Sequence, residues 1–179
     1  MKVKHWIIKI IILAALLAAG FSLICELFIS NLPVFSAVII VVILIAVGVF
    51  SDILGVAVAT CDEAPIIAMC SRKIKKAQYA LPLIKNAEMV SNICNDVIGD
   101  ICGIISGSAG AAITIRAAAN MSSREELIIS IIISTAISVA TIAGKANGKK
   151  IAIKKNKEIV LAAGSVIHFF SGGRDEKKD

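Results

Sequence analysis

The chain has 179 residues, of which 58% are hydrophobic and only 18% charged, with a net charge of +6. A mean hydropathy of +0.88 exceeds what a soluble domain of this length can bury, so a water-soluble globule is excluded and an all-α integral membrane protein is expected. Nucleic acid is a poor partner, because the basic residues fall in short segments between apolar runs rather than on one continuous face.

The uncharged runs are Ile10–Cys25, Leu27–Ser51, Ile101–Ile115 and Leu127–Gly144. About 20 residues of helix cross a bilayer core, so four transmembrane helices are expected, with basic amphipathic helices on the surface. The first follows Lys2, Lys4 and Lys9 and runs to about Phe28. Ala18-Ala19-Gly20 has the small residues of a signal-peptide cleavage site, whereas Glu26 and the apolar run close behind it favour a retained helix. Asn31-Leu32-Pro33 is a turn, with Pro33 suited to the start of the next helix. That second helix spans about Val34 to Thr60, too long for a ~30 Å core without tilting or breaking near Asp52 and Gly55. Cys61-Asp62-Glu63-Ala64-Pro65 is expected to end or kink it, because Pro65 has no amide to donate.

Ser71–Lys85 carries Arg72, Lys73, Lys75, Lys76 and Lys85, with Ile74, Ala77, Ala80 or Leu81, and Ile84 at helical spacing. It reads as a helix lying on the membrane surface. The helix that follows, from about Met89, holds the most informative pattern. Gly99, Gly103 and Gly107 recur every four residues and make a bare stripe for close helix packing. Asn92, Asp96 and Asp100 recur at the same spacing, which places Asp96 and Asp100 beside that stripe on an unbroken α-helix.

Ser122 or Ser123 with Glu125 or Glu126 marks the start of the last span, Leu127–Gly144. A basic stretch from Gly144 to Lys157 and a short apolar segment, Glu158–Phe170, come next, the latter too short to cross. Residues 172–179 read as a disordered charged tail. Lys and Arg number three at the N-terminus, five in Ser71–Lys85, nine after Gly144 and two in Arg116–Glu126, where Glu125 and Glu126 offset them. The positive-inside rule then puts both termini in the cytoplasm of a multi-pass cell-membrane protein, or the N-terminus outside if the first helix is cleaved.

Carboxylates at membrane depth, namely Asp52, Asp62, Glu63, Asp96 and Asp100, demand a partner or a cation. On one reading Asp96 and Asp100 are the metal ligands, with Asn92, Asn95, Asp62 and Glu63 lining the approach; on the others the acids are half protonated and hydrogen-bonded to backbone, or lie in a wet cytoplasmic funnel with no ligand. Oxygen donors of this kind suit Mg²⁺. The five cysteines form no C-x-x-C pair and read as small buried thiols. No nucleophile–base set is visible, so an enzyme is not expected.

Three short motifs, in order and at suitable separation, resemble the transmembrane domain of the cyclin-M and CorB/CorC magnesium and cobalt transporters. Cys61-Asp62-Glu63 with Ser71-Arg72 resembles the family's Ser-rich motif with Glu and a following Arg. Ile98-Gly99-Asp100 resembles its Ile-Gly-Asn, and Gly144-Lys145-Ala146-Asn147-Gly148-Lys149 its Gly-Glu-x-x-Pro-Lys. The resemblance covers about Val34–Phe170, so the organisation it implies is an N-terminal helix over 1–30, a transporter-like domain over 31–171 and the tail. It further implies a homodimer that binds Mg²⁺, and Co²⁺, within the bundle and carries it across the membrane. Lys145 stands where the family has Glu, and Gly148 where it has Pro. The family's nucleotide-binding regulatory domains have no counterpart in these residues. The alternative is a non-transporting membrane scaffold or regulatory subunit that keeps the packing face.

Overall fold

The computed structural model describes residues 33–119 and 121–171, together with 12, 15, 16, 18–20 and 23. The described elements are all helical: α1 (Val34–Thr60), α2 (Glu63–Ser71), α3 (Lys75–Lys85), α4 (Ala87–Asn92), a π-helical turn (Ile93–Ile98), α5 (Gly99–Ala117), α6 (Ser123–Lys154) and α7 (Asn156–Phe170). Three stretches are long and apolar enough to cross a membrane, namely Val34–Thr60, Ala87–Ala117 and Ser123–Lys154. Most of the first of the four expected spans and the 172–179 tail lie outside the described residues; 12, 15, 16, 18–20 and 23, the described residues of that span, are helical.

The ends of these helices follow from local chemistry. Pro33 accepts from the amide and hydroxyl of Ser36, which sets the first turn of α1. α1 then runs to Thr60 without the expected break at Asp52 or Gly55. It ends there, directly before the Cys61–Pro65 segment expected to end or kink it. Pro65 falls in the first turn of α2, where its missing amide costs no hydrogen bond. After α2, Lys73 takes a left-handed φ of 57° and turns the chain into α3. At the head of α6 the amide and hydroxyl of Ser122 both donate to Glu125 Oε2, at 2.9 and 2.8 Å, so the serine–glutamate signal is a helix cap as expected. α6 continues well past Gly144, because Lys145–Lys154 is helical rather than a basic loop.

The chain divides into two compact units, Met1–Val49 with Val97–Gly144, and Phe50–Asp96 with Lys145–Asp179. In the first, Ala37 and Val41 of α1 meet Ala109 and Ile113 of α5, with Ile133 and Ile137 of α6 against them. Each pair is spaced by four, so one narrow face of each helix is used. Phe35, Val42, Leu127, Ile131, Ile132, Val139 and Ile142 remain more than half exposed. That is untenable in water and ordinary in a bilayer, where the hydrocarbon takes the place of a core.

In the second unit the core is Ala57, Val58, Ile66, Ala77, Ala80, Ile84, Ala152 and Val160. The expected basic amphipathic helix is present as α3, and its apolar face is covered by α7. Gly164 makes this contact possible, since a methyl there would fall against the Lys76 carbonyl and 3.0 Å from Ala80 Cβ. The amide of Asn156 donates to the Thr60 carbonyl at 2.7 Å, so the head of α7 caps the tail of α1. Gly164→Val should therefore lower stability by about 1–3 kcal/mol through overpacking, read as a drop in the melting temperature of the detergent-solubilised protein.

Candidate functional site

Asp52 is the most deeply buried carboxylate among the described residues, with 3% of its surface exposed, and it lies within the α1 span. Its Oδ2 has no hydrogen-bond donor. Lys149 of α6 places its Nζ 4.0 Å from that oxygen, outside hydrogen-bond range. One turn along α1, Gly55 lies beneath the side chain of Asn95 from the π-helical turn. A methyl at Gly55 would collide with the Asn95 amide oxygen and lie 2.7 Å from its Cγ. Asn95 Nδ2 donates to Ser91 Oγ at 3.1 Å, while its Oδ1 is buried and, like Asp52 Oδ2, accepts nothing. Ser51 Oγ fastens the same stretch of α1 to the turn by donating to the Cys94 carbonyl at 2.8 Å. Asp52 and Gly55 are three apart and share a side of α1, so the site presents a carboxylate oxygen and an amide oxygen with no donor for either.

The π-helical turn falls inside the acidic spacing. Its i→i+5 bonding widens the helix, so the four-residue register from Asn92 through Asp96 to Asp100 is not that of one straight α-helical face. Asp96 is exposed, and Asn92 and Asn95 are half-buried. Asp100, in α5, is exposed and has a polar or electrostatic partner of its own. Asp62 and Glu63, at the head of α2, are exposed. Among the described residues no three His, Cys, Asp or Glu side chains are gathered to hold a metal. Of the six residues expected to bind an ion, Asn95 alone joins the buried site. Asp52 was visible in the sequence as a carboxylate at membrane depth, and nothing in its neighbours marked it as the one that folding would enclose.

The glycine stripe is pressed at one end and open along the rest. Gly99 is buried, and its carbonyl lies 3.7 Å from where a methyl on Gly48 would be. A methyl at Gly103 or Gly107 would meet nothing within 4 Å. Both instead line an open groove of about 350 Å³ between α5 and α6, with Ser130, Ser134 and Ser138 on its other wall. The close approaches within this unit are at Gly48, Gly110 and Gly144, where a methyl would lie 3.1 Å from Cys102 Cβ, 2.5 Å from Ile137 Cδ1 and 2.7 Å from Val49 Cγ2.

Two of the remaining motif residues are also accounted for. Lys145 is half-buried and has a polar or electrostatic partner. Gly148 is buried within α6, and the helix runs on through it to Lys149, where a proline would have broken the backbone ladder. In the α1–α2 connection, partial burial pushes the Cys61 thiol above its ordinary pKa, the neighbouring Asp62 charge adds to this, and Lys157 opposes it. A thiol so placed is a weak nucleophile.

Comparison of the chain with protein-family models, with curated proteins and with solved structures found no match in any of the three. The likeness to the magnesium transporters rests on the three motifs alone.

The steric relation between Gly55 and Asn95 gives a double-mutant test. Gly55→Ala alone should lower stability by about 1–3 kcal/mol, because the Asn95 side chain must leave its place. In an Asn95→Ala background the same substitution should be close to neutral, a coupling that thermal melts of the four proteins would measure.

Proposed function

We propose that this membrane protein binds a divalent cation, most simply Mg²⁺, and carries it across the bilayer, with Asp52 as the principal ligand. The observation that carries this reading is the pair of buried oxygens, Asp52 Oδ2 and Asn95 Oδ1, neither of which has a donor. A buried acceptor without a donor is costly, and a buried anion more so. A hard cation is the kind of partner such oxygens take. Mg²⁺ usually keeps several of its waters and takes one or two carboxylates from the protein, so a site with one carboxylate and one amide oxygen suits a partly hydrated ion. Asp96, Asp100, Asp62 and Glu63 then act at a distance, as exposed negative charges that draw cations toward the protein.

The concentration of Lys and Arg in Ser71–Lys85 and after Gly144 places α3 and α7 on the cytoplasmic side. The protein works as a homodimer in this reading. The open groove at Gly103 and Gly107 offers the close packing that small residues provide in lipid.

One observation favours a second reading, in which the fold is a scaffold that transports nothing. Lys149 already brings a positive charge to 4.0 Å from Asp52, and an internal ion pair needs no external ion. Mg²⁺ titration of the purified protein separates the two. On the transport reading, Mg²⁺ raises the melting temperature of the wild type and of Asp96→Asn/Asp100→Asn, and Asp52→Asn loses the rise. Liposomes should likewise take up Mg²⁺ through the wild type and not through Asp52→Asn. Equal shifts in all three proteins, with flux at the background of empty liposomes, would leave the scaffold.

A further inference from the structure

Resting on that reading of Asp52, we infer that Lys149 is a tethered competitor: its ammonium occupies the approach to the carboxylate and must be displaced before a metal ion can bind. Three observations meet here. The Asp52 side chain is 95% buried, with 5% exposed, yet its Oδ2 has no donor. Lys149 Nζ stops at 4.0 Å from that oxygen, more than an ångström beyond the length of a closed ammonium–carboxylate hydrogen bond. The Lys149 side chain is 54% exposed, while its helix is anchored on either side by buried Gly148 and Ala152.

A lysine serving only as a structural counter-ion would close onto its partner, because a charge-assisted bond is the stronger state. This one stands off, on a long stem with solvent available to its head. The backbone fixes where the ammonium hovers, and the side chain leaves it free to withdraw. An arriving dication brings twice the charge of the ammonium. Lys149 then sets the concentration at which the site fills, and between ions it keeps Asp52 from standing uncompensated.

The test uses the full chain in detergent with Mg²⁺ as the probe. Lys149 and Lys150 are acetylated with an amine-reactive ester, and their labelling rates are compared by mass spectrometry with and without Mg²⁺. Lys149 should label faster in Mg²⁺, Lys150 should not change, and in Asp52→Asn the Lys149 rate should be fast and indifferent to Mg²⁺. Lys149→Met should move the midpoint of the Mg²⁺ melting shift about tenfold lower, the scale of a partly exposed ion pair lost as a competitor. Lys149→Arg, which keeps the charge, should stay near wild type and shows whether the position tolerates change. A wild-type midpoint in Lys149→Met, with Mg²⁺ still stabilising both proteins, would overturn the competitor and leave the cation site standing. No Mg²⁺ effect on any of the proteins would overturn both.

Discussion

A carboxylate enclosed by apolar helices has few stable arrangements. It must accept hydrogen bonds, face a cation or be released to water, and in this protein Asp52 is enclosed with one oxygen accepting nothing. Much of the local structure is arranged about that fact. Ser51 fastens α1 to the Cys94 carbonyl, Gly55 admits the Asn95 amide beside it, and α6 stays helical through Gly148 to carry Lys149 within 4.0 Å. Two of these contacts come from the π-helical turn, and such turns are frequent at functional sites because they displace side chains from the regular register.

The two compact units solve the packing problem in different ways. In the unit holding Ala37, Val41, Ala109 and Ile113, each helix uses one narrow face, and the remaining Ile, Val and Phe side chains stay exposed. Lipid makes that sufficient, since every backbone group is satisfied within its own helix and hydrocarbon is no worse a neighbour than leucine. The unit holding α2, α3 and α7 is built more like a soluble protein. Its alanines and Gly164 let short helices approach closely, and its lysines lie on the outer surface. The Asn156 amide on the Thr60 carbonyl ties the short helices to the long one, an inexpensive use of a carbonyl that the end of α1 would otherwise leave open.

The motifs that resemble a magnesium transporter fare unevenly against the structure. Asp62, Glu63 and Asp100, which correspond to the family's acidic and amide positions, are all exposed. The last motif departs from the family at Lys145 and Gly148, and it is this departing segment that reaches the buried carboxylate, because a helix without proline carries Lys149 to it. A cation at that position argues against a passively open ion site.

Local pattern decided a great deal. α1 was legible at both ends, since Pro33 opens it and the Cys61–Pro65 segment follows its last residue, Thr60. The cap at Ser122 and Glu125, the amphipathic α3 and the three spans followed from spacing and composition for the same reason: each depends on neighbours a few residues away. The site did not. Counting in fours through Asn92, Asp96 and Asp100 assumed an unbroken α-helix, and a single π-helical turn, which no residue type announces, breaks that count. Which glycines are pressed and which stand open, and that Asp52 rather than Asp96 is enclosed, depends on contacts between residues as distant as Gly55 and Asn95 or Asp52 and Lys149. Burial is a property of what lies opposite a side chain, and only the packed helices determine that.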